Sequence, residues 1–387
     1  MGRMLRPLGV LATLTTAALT LAACGGSGPG EISRTAASYA VTSSAAVTPA
    51  PAPHARKAKH KPRAKVIRTV AKSIRVPWGI TELPNGKVLV GSRDAGTIYR
   101  LNVKKDTHRA VGSVAASVTN VGVGGEAGLL GLATSPHFTT DHRVYVYFST
   151  RTDNRIGWMT YRHGRLTQPH LILTGIPHGV HHNGGRLAFG PDGMLYAGTG
   201  ETMVTSLAQN KSSLGGKILR MTPAGKPAPG NPFGSLVYTY GHRNVEGLAF
   251  DPSGRLWASE FGDHTADELN LIKAGHDYGW PATQGKTSNP KYTSPVAQWG
   301  TSVDSPSGIA YADGAIWMAA LKGERLWRIP IHGAKAGTPH AFLTGRYGRL
   351  RSVLALGPHR LLVTTSNRDG RAQARRGDDR VLLLKVR

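Results

Sequence analysis

The feature that most limits what this chain can fold into is a short unit written six times between Val66 and the C-terminus. A small residue and an aliphatic one come first, then a turn, then a brief run of aliphatic or aromatic side chains. The copies begin at Gly79-Ile80, Gly131-Leu132, Arg186-Leu187, Gly247-Leu248, Gly308-Ile309 and Ser352-Val353, 44 to 61 residues apart. Turns such as Pro84-Asn85-Gly86 and Asp251-Pro252-Ser253-Gly254 lead into runs such as Val88-Leu89-Val90 and Leu256-Trp257-Ala258. Alternating runs bounded by Gly, Pro, Asp and Asn are strand signals, and no long stretch keeps a helical period. Repeats of this length, each holding a few short strands, are blades of a β-propeller, with length variation placed in loops. The expected fold class is all-β, a six-bladed β-propeller over residues 66–387. Six copies argue against a sandwich. The 49 glycines in 387 residues, against a usual ~7%, supply the frequent turns.

Ahead of the repeats stands an address. Arg3 and Arg6 precede an apolar run from Leu8 to Ala23. A basic start, a short apolar stretch and small residues before a cut form a secretory signal, here residues 1–23. The run is shorter than the roughly 20 residues of a comfortable membrane span. Leu21-Ala22-Ala23-Cys24 resembles the lipobox of bacterial lipoproteins, which implies lipidation of Cys24; an ordinary signal peptide with an incidental cysteine is the alternative. Cys24 is the chain's one cysteine, so an internal disulfide framework and Cys-based zinc sites are excluded. Residues 24–65, rich in Ala, Ser, Pro and Thr and ending in a basic cluster from Arg56 to Lys65, read as a disordered tether. The expected location is extracytoplasmic, with the chain held to the bacterial cell membrane by its lipid.

The net charge of +26 invites a nucleic-acid reading. Of the 48 Lys+Arg and 22 Asp+Glu, residues 1–65 carry nine and one, which leaves an excess of 18 on the repeats. That excess has another use. Function on a propeller lives in the site built on it, and reactive residues cluster beside the repeat starts. Val180-His181-His182-Asn183-Gly184-Gly185 precedes the third unit and Tyr240-Gly241-His242-Arg243-Asn244 the fourth. Glu260-Phe261-Gly262-Asp263 and Asp267-Glu268-Leu269-Asn270 follow. Lys322 comes after the strand of the fifth unit, and Arg349 and Arg351 flank the start of the sixth. A histidine can take a proton near neutral pH. Arginines and lysines clamp carboxylates or phosphates. Backbone carbonyls near Gly262, with nearby carboxylates, can hold Ca²⁺. Each cluster also has a plain reading as polar loop, turn or solvated rim; their shared placement at blade starts favours a channel-mouth site.

Taken together, Gly125-Glu126-Ala127-Gly128-Leu129-Leu130-Gly131, His182-Asn183-Gly184-Gly185-Arg186-Leu187, Gly241-His242-Arg243-Asn244, Asp267-Glu268-Leu269-Asn270 and Tyr278-Gly279-Trp280-Pro281 resemble the soluble aldose sugar dehydrogenases. These pyrroloquinoline quinone (PQQ) enzymes belong to the glucose/sorbosone dehydrogenase family and are built on a six-bladed propeller. Pro306-Ser307-Gly308, Leu321-Lys322-Gly323 and Gly348-Arg349-Leu350-Arg351 continue the likeness in order. The resemblance implies oxidation of an aldose or related sugar at the anomeric carbon, by hydride transfer to PQQ. It makes His182 the general base and Glu201 a carboxylate orienting it. Arg243 and Asn244 lie against the cofactor, with Arg243 stabilising charge on the reduced quinone. Lys322, Arg349 and Arg351 hold PQQ, the carbonyls of Gly262 and Asp263 bind Ca²⁺, and Glu126 lines the substrate side. The chain departs from the family's pattern at Asp263 (usually proline), Asp277 (usually asparagine) and Ser352 (usually aspartate). The partners implied are a small sugar, an unidentified electron acceptor and, through the lipid anchor, a membrane, with no nucleic acid. The alternatives are a non-redox propeller that binds glycans, wall polymers or a protein partner, and a Ca²⁺-dependent lactone hydrolase, against which an Arg/Lys-rich mouth argues.

Overall fold

Asp251 shows how the turn residues make a blade. Its Oδ1 accepts the backbone N–H groups of Ser253 and Arg255 at 2.9 and 3.1 Å, and its Oδ2 accepts the indole N–H of Trp257 at 2.9 Å. One carboxylate therefore shapes the turn between two strands and anchors a fully buried core side chain. Burial would raise its pKa, but the bonds from Arg255, Trp257 and Ser253 hold it below the usual range.

The computed structural model describes residues 61–116 and 125–387. The signal segment, Cys24 and the tether up to residue 60 lie outside the described residues. The described chain forms six antiparallel sheets of at least four strands, following one another in sequence around a ring. The innermost strands are Pro77–Glu82, Leu129–Thr134, Leu187–Phe189, Val245–Phe250, Pro306–Ala312 and Leu350–Ala355. The six repeat starts fall within these strands or one residue before them, and neighbouring inner strands touch. That contact explains the glycines: a Cβ on Gly79 would stand 2.4 Å from the Leu130 carbonyl oxygen, and one on Gly131 2.2 Å from that of Gly185. Glycine is where one blade's backbone meets the next. Apolar side chains fill the spaces between blades, with Trp78, Trp257 and Trp317 each at most 1% exposed.

The sixth sheet joins the chain's two ends. Ala64–Lys72 pairs antiparallel with Arg380–Val386, from Ala64↔Val386 to Lys72↔Arg380, with two register shifts. The strand begins at Ala64, so Ala64 and Lys65, counted with the tether from sequence, belong to the propeller; alternation alone could not show a partner more than 300 residues away. This pairing closes the ring. Removing residues 1–62 should leave the thermal midpoint unchanged. Removing residues 1–72 strips the edge strand that covers the core with Val70 and Ala71 and should cost several kcal/mol, read by thermal and urea unfolding.

Candidate active site

The loops before the inner strands, together with those leaving the adjacent strands of the fourth and fifth blades, enclose a cavity of about 510 Å³. That volume suits a small molecule. Its walls bring together Glu126, His182, Arg243, Gly262, Asp263, Lys322, Arg349 and Arg351, drawn from five blades. Glu201 and Asn244 stand behind the wall.

His182 is held on three sides. Its φ is +54°, a left-handed conformation that costs a residue other than glycine of order 1–3 kcal/mol unless its surroundings enforce it. Its N–H donates to Glu126 Oε2 at 2.7 Å, and its carbonyl accepts from the Thr202 N–H at 3.2 Å. Its Nδ1 lies 2.5 Å from Glu201 Oε1. With Glu201 ionised, Nδ1 carries the proton and Nε2 keeps its lone pair for the cavity. Gly200 permits this approach, since a Cβ there would stand 2.0 Å from the His182 carbonyl oxygen. Asn244 supports the same loop by accepting the Gly184 N–H at 2.9 Å, while its own Nδ2 is buried without a partner among the described residues. His242, the other histidine of the motifs, is fully buried between Thr239 and Glu260 and stacks on Tyr278. It is part of the core.

The cations differ from the sequence expectation. An Arg/Lys-rich mouth was expected, yet the five cations on the wall (Arg243, Lys322, Arg349, Arg351 and Arg371) face four carboxylates, Glu126, Glu246, Asp263 and Asp267. The reason is burial: guanidinium groups removed from water need partners. The Arg351 side chain, 2% exposed, reaches Glu246 Oε2 at 2.8 Å and Asp369 Oδ2 at 3.4 Å. Arg349 Nε pairs with the same Asp369 oxygen at 3.0 Å. Burial would raise the Asp369 carboxyl, but Arg349 and Arg351 hold it below the usual range. Beneath them Arg186 donates to the Glu246 carbonyl at 2.7 Å and to Ser352 Oγ at 3.0 Å, and lies 4.1 Å over the Trp78 ring.

Two cations keep unused capacity. Lys322 is exposed and makes no close ion pair or side-chain hydrogen bond among the described residues, its charge acting on Asp267 from a distance. Arg243 donates to the Gly262 carbonyl at 2.7 Å and to Asp263 Oδ1 at 2.8 Å, while its buried Nε has no partner. The loop that presents Gly262 is fixed by Asp267, whose carboxylate accepts the N–H groups of Gly262 and Ser305 at 2.9 and 2.7 Å. Burial raises the Asp267 pKa despite those bonds. Among the described residues no group of three His, Cys, Asp or Glu side chains is arranged to hold a metal, so a cation here would depend on main-chain oxygens.

Glu126 lines the cavity, but its carboxylate is engaged: Oε2 takes the His182 N–H, and Oε1 takes Arg371 Nη2 at 3.1 Å. Burial would raise its pKa, but His181, whose Nδ1 lies 3.8 Å from Oε1, and the charge of Arg371 keep it well below the carboxylate range. Glu246, Asp369 and Arg371 escaped the sequence reading. Glu246 lies between the Gly241-His242-Arg243-Asn244 motif and the fourth repeat start, yet nothing local marks it as the partner of a residue 105 positions away. Asn367-Arg368-Asp369-Gly370-Arg371 reads as a charged turn.

The family model for glucose/sorbosone dehydrogenases matches residues 74–376. The chain resembles the PQQ-bound form of aldose sugar dehydrogenase from Streptomyces coelicolor, at 55% identity and a TM-score of 0.82, covering 84% of this chain and 99% of that one. Aldose sugar dehydrogenase YliI of Escherichia coli is 28% identical over 321 residues, 72% of this chain and 83% of that protein. Quinoprotein glucose dehydrogenase B of Acinetobacter calcoaceticus is 31% identical over 250 residues, 56% of this chain and only about half (51%) of that protein.

The buried cation pair makes the site's stability testable. Glu246→Ala leaves Arg351 with Asp369 as its one carboxylate and should cost about 3–5 kcal/mol in urea unfolding. A loss near zero would mean that Arg351 finds another partner.

Proposed function

Because the chain belongs to the glucose/sorbosone dehydrogenase family, we propose that it oxidises an aldose or related sugar at the anomeric carbon, using PQQ and Ca²⁺. The observation that carries the reading is a histidine fixed by a carboxylate in a cavity that also presents uncommitted cationic donors. The residues fit the cofactor. A tricarboxylate calls for cations and N–H donors, and the buried orphan Nε of Arg243 and the uncommitted ammonium of Lys322 supply them. Lys322, Arg349 and Arg351 would grip carboxylates, and Arg243 would lie against the ring system with Asn244 behind it. The carbonyls of Gly262 and Asp263 would give Ca²⁺ two of the six to eight oxygens it takes. When bound, PQQ supplies a two-electron acceptor for hydride, and Ca²⁺ polarises it.

The chain's own work is to move a proton and stabilise charge. His182 Nε2 takes the proton of the anomeric hydroxyl as the C1 hydride departs. Glu201, 2.5 Å from Nδ1, holds the ring's tautomer and stabilises the imidazolium that results. Arg243 offers a fixed guanidinium where negative charge collects, an effect commonly worth several kcal/mol. Its contact with Asp263, where the family usually has proline, ties that guanidinium to a side chain at 2.8 Å.

We further propose that the protein works outside the cytoplasm, tethered through lipidated Cys24. The support is the signal pattern and the position of the single cysteine.

Titrating the purified protein with PQQ and Ca²⁺ should shift the cofactor's absorbance and bring dye reduction with a panel of aldoses. No PQQ binding would return the protein to the glycan-binding alternative. His182→Ala should cut kcat by about 100- to 10,000-fold with PQQ binding retained, and loss of both would make His182 structural. Asp263→Asn frees the Arg243 guanidinium from its carboxylate and should tighten PQQ binding in the same titration.

A further inference from the structure

Arg371 sits on the loop that follows Arg360–Thr365 in the last blade, far in sequence from the Glu126 and His181 side chains it meets. Its backbone N–H donates to Asp369 Oδ1 at 3.1 Å, so the residue is anchored to the carboxylate shared by the buried arginines. Its Nη2 reaches across the cavity to Glu126 Oε1 at 3.1 Å and lies 3.3 Å from His181 Nδ1. Glu126 in turn grips the base loop twice: its N–H donates to the Val180 carbonyl at 2.8 Å, and its Oε2 accepts the His182 N–H at 2.7 Å. Charge-assisted bonds of this kind are the strong ones. Glu201 holds the imidazole; this second line of contacts holds the main chain that carries it, at a left-handed residue that would relax if released.

We propose that Arg371 is a positioning residue which, through Glu126, straps the His182 main chain in its left-handed conformation and so sets where the imidazole stands in the cavity. The inference rests on His182 being the base, but the strap itself can be read without turnover. Oriented catalytic groups tolerate little displacement, so a strap between the last blade and the loops before the second and third has a direct chemical use.

The test takes the full chain in three variants, Arg371→Met, Arg371→Lys and Glu126→Gln, each also combined with PQQ, Ca²⁺ and sugar. In the cofactor-free protein, amide hydrogen exchange at His182 should quicken roughly tenfold in Arg371→Met and Glu126→Gln, as expected for a lost or weakened buried hydrogen bond. Exchange in the inner strands should stay unchanged. In the loaded enzyme kcat should fall about 10- to 100-fold with KM little altered. Arg371→Lys, which keeps a charge that can reach Glu126, should recover much of both readouts. Unchanged exchange at His182 would overturn the strap, and so would a raised KM at constant kcat, since Arg371 would then be gripping sugar. Faster exchange in a protein whose His182→Ala form keeps full turnover would overturn the catalytic purpose of the strap and identify the failure as that of the assigned base.

Discussion

The Arg351–Glu246 ion pair, with Asp369 beside it, is the contact on which the site depends. It joins the last blade to the fourth across the channel, at 2.8 Å and almost without solvent. A charge pair buried this deeply is weak evidence for net stability, because desolvation offsets much of the attraction. Its value here is geometric. Glu246 also meets Ser307 Oγ at 2.6 Å through the oxygen that takes Arg351, and Asp369 takes both Arg349 and Arg351. The floor of the cavity is therefore a cross-braced set of side chains from three blades, and the groups that line the cavity stand on it.

On that floor the catalytic candidates divide into those that are satisfied and those that are not. Arg349 and Arg351 spend much of their charge on the protein. Lys322 and the Nε of Arg243 do not. A site with paired cations below and open donors above can receive an anionic, planar molecule without first building a repulsive cluster. The left-handed His182 belongs to the same logic. Strain at one residue is held by contacts from Glu126 and from the adjacent Glu201 and Thr202, two separate stretches of chain.

Much of the fold was legible from sequence because blade packing imposes a local rule repeated six times. Gly79 and Gly131 are glycines because a side chain would strike the neighbouring blade's backbone, and Asp251 is an aspartate because one carboxylate must serve a turn and a tryptophan. The cavity-lining residues that carry the site, other than Glu246 and Arg371, were legible because they cluster beside those same rules. The pairing of Ala64–Lys72 with the last strand was not legible, nor was the near-neutral balance of the mouth. Arg349 and Arg351 read as free cations until Glu246 and Asp369, from elsewhere in the chain, are placed beside them.

By itself the sequence determined the number of blades, many of the residues at the channel mouth and the family to which they belong. Each of those is written in short stretches whose geometry follows from neighbouring residues. Only the tertiary structure decided which charges are spent and which remain, and that Glu126 holds the base loop. It also decided that Arg371 reaches Glu126, 245 positions away in sequence. Those properties depend on distances across a closed ring, and a ring brings together residues that no local pattern relates.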